Sequence, residues 1–286
     1  MVKKAQSAPQ RVSDLLRVPS GSVDLAAYDT GSTPGFTGDK TAGKAALEPL
    51  GPQLADLQER LFAHGRTGGS KRVLLVLQGM DTSGKGGAIS HVVGQVDPQG
   101  VSIRSFKAPT AEELSHDFLW RIRRAVPAAG MLGVFDRSHY EDVVAVRVHE
   151  LVERRVWSRR YASINRFEER LVAADCHLIK VFLHISPEEQ KARLLARLDD
   201  PTKHWKYNPR DVDVRARWTD YQDAFEDALE RCASDAAPWH LVPADKKWYR
   251  NWAVMRLLLE AFDALDLTWP TASYDVAEER KRVLAS

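Results

Sequence analysis

A glycine-rich loop between an apolar run and a helical segment constrains this chain most strongly. Residues 79–87 read Gly-Met-Asp-Thr-Ser-Gly-Lys-Gly-Gly, after the apolar run 73–77 and before the helix-like segment 88–96. Strand, glycine loop and helix in this order are typical of a phosphate-binding loop. The glycines let backbone N–H groups point inward, and the helix adds the positive end of its dipole. The predicted anion cradle contains Gly79, Thr82, Ser83, Gly84, Lys85, Gly86 and Gly87.

The lysine of this loop supplies a mobile positive charge for the phosphate that is moved. Position 86 carries Gly, where such loops usually have Ser or Thr, whose hydroxyl binds Mg²⁺. Asp81, inside the loop, is the nearest replacement oxygen ligand. The alternative is a glycine-rich turn with an incidental lysine, which the flanking strand and helix argue against.

Apolar runs and helical patterns alternate along the rest of the chain. We predict strands at 72–78, 101–106, 131–135, 177–185 and 239–242, and helices at 47–61, 111–126, 187–198, 212–231 and 249–265. This alternation predicts a parallel sheet covered by helices on both faces. Ligands of such sheets lie at the carboxyl ends of the strands, where the glycine loop and Asp136 both fall. The helix at 47–61 could pack on its own core or form a dimer contact.

The chain divides into an arm, one main domain and a tail. Residues 1–45 lack periodicity and predict a flexible arm, residues 46–270 form the domain, and residues 271–286 form a C-terminal tail. The formal charge of +2 means that any anion site must come from local clustering. Cys176 and Cys232 fit no metal or redox spacing and are expected in the core. No run approaches membrane-spanning length, so we expect a cytoplasmic protein with no membrane or nucleic-acid partner.

A second group of candidate residues follows the third strand. Asp136 is a candidate Mg²⁺ ligand, although an Asp at a strand end also commonly caps a helix. Arg137 could bridge donor and acceptor phosphates, because a guanidinium grips two oxygens at once. Glu141 could contact the metal shell or a ribose, or pair with Arg137 one helical turn away. His139 is expected to be structural, because phosphoryl transfer needs positioning and charge more than a base.

Basic residues cluster in three further stretches. Most charge runs are solvated faces, but Lys107 follows a strand and would face the same crevice as Lys85 and Asp136. Arg193 and Arg197 share a helix face before an aromatic loop at 199–209, a pattern that resembles a lid closing over phosphates. Such a track of cations suits a linear polyanion. The residues predicted to bind polyphosphate or the nucleotide are Lys107, Arg121, Glu141, Arg193, Arg197 and Lys206.

Five segments together resemble the polyphosphate kinase 2 family, over about residues 47–267. They are the glycine loop, Ser-Phe-Lys-Ala-Pro-Thr at 105–110, Phe-Asp-Arg-Ser-His-Tyr-Glu-Asp-Val at 135–143, Leu-Asp-Asp-Pro at 198–201 with Lys-His-Trp-Lys at 203–206, and Pro-Ala-Asp-Lys-Lys-Trp-Tyr-Arg-Asn at 243–251. The resemblance implies a three-layer α/β/α P-loop kinase fold, thymidylate-kinase-like, with a five-stranded parallel sheet and a helical lid at about 188–212.

The resemblance also implies an activity. Members of the family transfer phosphoryl groups reversibly between inorganic polyphosphate and nucleoside phosphates such as AMP and ADP. The metal, Mg²⁺ or alternatively Mn²⁺, would lie on Asp81 and Asp136, while Lys85 and Arg137 would stabilise the transferring group. The wording of 138–143 resembles the subgroup that accepts both nucleoside mono- and diphosphates, although many of its members have Asn where Asp136 stands. The family suggests a homo-oligomer, a dimer or tetramer.

Two other functions remain open from the sequence. An ATP-dependent nucleotide kinase of the same fold would be expected to carry Ser or Thr at position 86 and an adenine pocket, neither of which is evident. A non-catalytic polyphosphate-binding protein would not need both Lys85 and Asp136.

Overall fold

Five parallel strands form a single sheet in the computed structural model, which describes residues 10–286. The strands are β1 (Arg72–Gln78), β2 (Val101–Ser105), β3 (Leu132–Asp136), β4 (Cys176–His184) and β5 (Trp239–Pro243). Their order is β2-β3-β1-β4-β5, and all four strand pairings are parallel. The predicted parallel five-stranded sheet is therefore confirmed, and each strand lies within one residue of its predicted bounds.

Helices cover both faces of this sheet. They are α1 (Val12–Leu16), α2 (Lys40–Leu47), α3 (Leu50–Arg66), α4 (Lys85–His91), α5 (Ala111–Leu114), α6 (Trp120–Ala125), α7 (Ala145–Val148), α8 (Arg154–Ala173), α9 (Pro187–Leu198), α10 (Arg210–Ala216), α11 (Trp218–Arg231), α12 (Lys247–Asp263) and α13 (Val276–Ala285). Short 3-10 turns include His139–Asp142 and Pro201–Lys206.

Two predicted helices are divided in the structure. The helix expected at 111–126 is α5 and α6, because the Asp117 side chain accepts the Leu119 N–H at 3.1 Å and starts a new turn. The helix expected at 212–231 is α10 and α11, which meet at Arg217. The proposed lid region thus contains α9, the turn Pro201–Lys206 and the start of α10; its closing motion stays a prediction.

The alternation of side chains along β1 explains the three layers. Val73, Leu75 and Leu77 pack with α3, α4 and α12 in one core, and Leu74 and Val76 pack with α8 and α11 in the other. All five are fully buried, as expected for a central parallel strand. The helix predicted at 47–61 corresponds mainly to α3, whose Leu50, Leu54 and Leu61 lie in the first of these cores, so its packing on its own core is confirmed. Cys176 and Cys232 are buried and unpaired in the second core.

The amino-terminal segment differs from the flexible arm that the sequence predicts. Residues 1–9 lie outside the described residues, but the segment from residue 10 to residue 45 is anchored along the domain. Val12, Leu16 and Leu25 are at most 5% exposed and belong to the two cores. The Thr30 hydroxyl donates to Asp245 at 2.7 Å. Isolated apolar residues that fill separate grooves give no periodic pattern, which is why the sequence suggests disorder here.

Candidate active site

The glycine loop joins β1 to α4 in a tight turn that depends on glycine at two positions. Gly79 and Gly84 have φ values of 141° and 113°. Residues that carry a side chain rarely adopt such positive φ values. A Cβ at Gly79 would lie 2.5 Å from the Leu183 carbonyl oxygen, and one at Gly84 would lie 1.7 Å from the Arg250 guanidinium. Thr82 and Ser83 are buried with hydroxyl groups that have no hydrogen-bond partner. The loop thus has polar groups available to a ligand.

Lys85 begins α4 and lies along this loop. Its side chain is buried, and Nζ donates to the carbonyl oxygens of Gly79 at 2.8 Å and Met80 at 3.2 Å. Burial lowers the pKa of Lys85, as does the charge of Arg137, while Asp81 and other nearby carboxylates oppose the shift. The ammonium group is therefore shielded from water, and its charge acts strongly on a bound phosphate.

An ion pair joins the glycine loop to the segment after β3. Arg137 Nη2 donates to Asp81 Oδ1, and Arg137 has a φ of 63°, in the left-handed region. Burial raises the pKa of Asp81, but Arg137 and then Lys85 more than offset this, so the net shift is downward. The negative charge of Asp81 also raises the pKa of Arg137, although Glu141 contributes more. Asp81 is therefore ionised and Arg137 is charged at neutral pH.

Asp136 ends β3 directly beside the glycine loop. It pairs in register with Leu77 of β1, and the Ser105 hydroxyl donates to its Oδ2 at 3.3 Å. The prediction that Asp136 and the glycine loop share the carboxyl edge of the sheet is therefore confirmed.

Two carboxylates fit a magnesium ion that is bound together with phosphates. Among residues 10–286, no group of three or more His, Cys, Asp or Glu side chains could hold a metal on its own. Mg²⁺ typically uses one or two carboxylates and completes its shell with water and substrate phosphates. Asp81 and Asp136 meet that requirement, while Gly86 offers no oxygen of its own side chain. The metal and its two ligands stay a prediction.

Glu141 lies on the 3-10 turn His139–Asp142, close to Arg137 and Lys85. With the Gln78 amide oriented to satisfy its neighbours, Gln78 donates to Glu141 Oε1 at 3.1 Å and accepts from the Ser138 N–H at 3.1 Å. Burial raises the pKa of Glu141, opposed first by Arg137 and then by Lys85. The Arg137 guanidinium forms its ion pair with Asp81, and the structure gives no ion pair of Arg137 with Glu141 within 4 Å, although the charge of Glu141 is the largest influence that raises the pKa of Arg137. Contact of Glu141 with metal or ribose stays a prediction.

Arg193 has a different role from the one that the sequence predicts. It lies on α9 and is 7% exposed. Its N–H groups donate at 2.6–3.0 Å to the carbonyl oxygens of Thr82, Ser83, Ala244 and Asp245 and to the carboxylate of Glu189. These contacts use all five donors of the guanidinium. Arg193 therefore ties the glycine loop to the end of β5 and has no donor left for polyphosphate.

A cleft of about 800 Å³ opens from the glycine loop and Arg137. Exposed Lys107 lies on its wall, as the sequence predicts. Arg121 also lines it, but the Arg121 side chain is only 9% exposed and donates to the Lys107 carbonyl at 2.9 Å. It therefore supports the wall that carries Lys107.

The two remaining predicted cations lie near the lid region. Arg197 donates to the Lys206 carbonyl at 3.1 Å, and its charge helps to lower the pKa of Asp81 after larger effects from burial, Arg137 and Lys85. Lys206 is exposed over the Trp205 ring, at 4.8 Å from its centroid, and does not line the cleft. Their contact with polyphosphate stays a prediction.

Sequence reasoning missed part of the cleft wall. Arg160, Arg210, His149 and Tyr221 line the cleft, and His149 Nε2 lies 3.0 Å from the Tyr221 hydroxyl. These residues come from separate helices and turns, so no contiguous motif marks them. The available signal is weak: Arg160 belongs to a basic run, and Arg210 and Tyr221 follow the aromatic loop.

A smaller cavity of about 400 Å³ lies near the start of β4, away from the glycine loop. Arg11 and Lys71 line it, but Arg11 pairs with Glu260 and Lys71 donates to the Leu265 carbonyl. Its cations are therefore already engaged. Across residues 10–286, no helix has both the length and the apolar content needed to cross a membrane.

Comparison with known proteins identifies similar chains. The sequence model of the family "Polyphosphate kinase 2" matches residues 37–268. An AMP/ADP-polyphosphate phosphotransferase of Meiothermus ruber is 44% identical over 91% of this chain and 97% of its own length. An ADP-polyphosphate phosphotransferase of Rhodopseudomonas palustris is 40% identical over 89% and 91%. The crystal structure of polyphosphate kinase 2 from Arthrobacter aurescens is 56% identical, with a TM-score of 0.94 over 97% of this chain and 98% of that chain.

Proposed function

The chain belongs to the polyphosphate kinase 2 family, and we propose that it transfers the terminal phosphoryl group of inorganic polyphosphate to AMP and ADP, reversibly. The observation that carries this proposal is the position of Lys85, which bonds to the carbonyls of Gly79 and Met80, beside the Asp81–Arg137 pair at one end of a large cleft. The cationic wall of that cleft, which includes Lys107, suits a polyanionic donor. The names of the M. ruber and R. palustris relatives support the same donor and acceptors.

The proposed reaction is a direct in-line transfer. An oxygen of the nucleotide's terminal phosphate attacks the terminal phosphorus of polyphosphate, and a new P–O bond forms while the bond to the next phosphate breaks. The nucleotide gains one phosphate and the polymer loses one. No covalent enzyme intermediate is needed, because the residues around the transferring group only have to position it and spread its charge.

Three side chains have distinct roles in this scheme. Lys85 neutralises charge on the transferring phosphoryl group. Arg137, whose side chain is 37% exposed, bridges donor and acceptor oxygens with N–H groups that do not bind Asp81. Asp81 and Asp136 would hold Mg²⁺, which supplies positive charge to the phosphate oxygens when bound.

Acceptance of both AMP and ADP is the finer part of the proposal. The M. ruber relative, which is named for both acceptors, matches almost its whole length. The R. palustris relative is named for ADP alone. A cytoplasmic setting, where nucleotides and Mg²⁺ are abundant, and assembly into a dimer or tetramer complete the proposal.

The test is an assay of purified protein with Mg²⁺, long-chain polyphosphate and either AMP or ADP, followed by separation of the nucleotides. We expect ADP and ATP from AMP, and ATP from ADP. Product from ADP alone would remove AMP as an acceptor. Activity with ATP as donor and none with polyphosphate would contradict the proposed function.

A further inference from the structure

A fully buried lysine lies beneath the segment that carries Asp136 and Arg137. Lys180, on β4, is 0% exposed, and Glu168, on α8, is 2% exposed. Lys180 Nζ donates to Glu168 Oε2 at 2.6 Å, to the Tyr140 hydroxyl at 3.1 Å and to the Cys232 carbonyl at 2.5 Å. The three donors of the ammonium group are therefore all used.

The other oxygen of Glu168 reaches the same segment. Glu168 Oε1 accepts from the Tyr140 hydroxyl at 2.7 Å and lies 3.1 Å from His139 Nε2. Burial raises the pKa of Glu168, but Lys180 and His139 outweigh it and the net shift is downward. An ionised carboxylate only accepts hydrogen bonds, so the His139 ring donates from Nε2. Two consecutive residues, His139 and Tyr140, are thus fixed to one carboxylate.

The stability of the fold does not require such a cluster. Replacing a buried ion pair with well-packed hydrophobic residues of similar volume is often neutral or stabilising, because removing charges from water is unfavourable. Directional hydrogen bonds, in contrast, specify where the bonded residues lie.

The cluster is two residues from a strained backbone position. Arg137 is left-handed, with a φ of 63°, and its N–H donates to the Leu77 carbonyl at 3.0 Å. A non-glycine residue in this region is maintained only when its surroundings fix it. On the far side, the Ser138 hydroxyl accepts the Tyr140 N–H at 3.2 Å. The chain is therefore held at both ends of the turn that presents the guanidinium.

We propose that Glu168 and Lys180 are positioning residues for the transfer reaction, because they fix His139 and Tyr140 and so hold Arg137 against Asp81. This inference rests on the proposed function for the role of Arg137. It assigns to the buried cluster an effect on the turnover rate that is separate from its effect on folding.

Tyr140→Phe is the test variant, because it removes only the hydroxyl that Glu168 and Lys180 share. We expect kcat to fall about tenfold or more, because a small displacement of a catalytic group slows the reaction strongly. The KM for polyphosphate should stay within about twofold, because the cleft wall is unchanged. Hydrogen exchange of the peptide over residues 136–142 should be faster than in the wild type, a readout that needs no activity.

Tyr161→Phe is the matched control. Tyr161 lies on the same helix as Glu168, is 4% exposed and forms no hydrogen bond with Glu168 or with residues 136–142. Removal of the Tyr161 hydroxyl should leave both kcat and the hydrogen exchange of residues 136–142 unchanged. The double variant Glu168→Leu with Lys180→Met removes both charges together with the acceptor that His139 and Tyr140 share, and should behave like Tyr140→Phe.

The outcomes separate this inference from the proposed function. Wild-type exchange at 136–142 in folded Tyr140→Phe and in the folded double variant would overturn the positioning role, whatever the activity. So would a loss of kcat that merely follows a lower Tm. If the wild type is inactive with polyphosphate, the proposed function fails, and the exchange data still decide whether the cluster fixes the segment.

Discussion

The two strand-end segments that meet at the cleft are fixed by different means. The glycine loop, residues 79–87, takes most of its shape from itself: Gly79 and Gly84 adopt positive φ, and Lys85 bonds to carbonyls of its own loop. The segment 136–142 depends instead on buried charges of α8 and β4. Local geometry thus supplies much of the shape of one half of the site, with Arg193 as its support from α9, while buried tertiary contacts specify the other half.

The largest effect should come from removing the charge that the glycine loop carries. Lys85→Ala should lower kcat at least about a thousandfold, because no other group replaces the ammonium at the transferring phosphate. The fold should be retained, since the glycines and the Arg193 bonds still hold the loop when the two Lys85 hydrogen bonds are lost. Steady-state kinetics and circular dichroism check both parts.

A surface lysine provides the control for this charge removal. Lys281, on α13, has a side chain that is 78% exposed, and Lys281→Ala should leave both rate and fold unchanged. Full activity of a well-folded Lys85→Ala protein would remove Lys85 from the mechanism.

The second region should be more sensitive to acid, because it rests on buried ionisable groups. His240, on β5, contacts the Lys180 carbonyl through Nδ1 at 3.2 Å. Burial lowers the pKa of His240 to about 4; smaller effects come from that carbonyl and from the charges of Arg17, Glu260 and Lys180. In the unfolded chain His240 has its ordinary pKa of 6.5, so between that pH and about 4 the unfolded chain binds a proton at His240 and the folded protein does not.

The lower pKa of His240 in the folded protein predicts that stability falls as the pH falls. As the pH falls from 6.5 toward about 4, the free energy of unfolding should drop by up to about 3 kcal/mol from this group. His240→Gln should have a flatter dependence in the same window. Denaturant unfolding at a series of pH values measures it, and parallel profiles of the two proteins would exclude His240 as a source of acid sensitivity.

The sequence predicts the residues of contiguous motifs, such as the glycine loop, better than it predicts contacts between separate elements. Asp81, Lys85 and Asp136 are found because each belongs to a contiguous motif next to a strand. The pairing of Glu168 with Lys180, and the four bonds of Arg193 to backbone carbonyls, join residues on different elements, and a single sequence contains no signal for such contacts. Arg193 therefore looks like a phosphate ligand in the sequence and proves to be a support of the glycine loop.

The smallest predicted effects concern two glycines of the loop. Gly84→Ala should destabilise the protein by about 2 kcal/mol, because its φ is positive and the new methyl group would meet Arg250. At Gly86 a Cβ would meet nothing within 4 Å, and the residue lies in α4. Gly86→Ala should therefore stabilise by about 0.5 kcal/mol. Thermal unfolding of both variants checks the opposite signs; equal effects would mean that loop geometry does not depend on Gly84.

We propose that the glycine loop and the segment 136–142 act on one phosphoryl group through the Asp81–Arg137 pair. A double-mutant cycle of kcat/KM measures this coupling, with Asp81→Asn, Arg137→Gln and the double variant compared with the wild type. We expect the double variant to be little slower than the slower single variant, with a coupling free energy above about 1 kcal/mol. Additive losses would show that Asp81 and Arg137 act independently and that the two segments do not act together on the phosphoryl group.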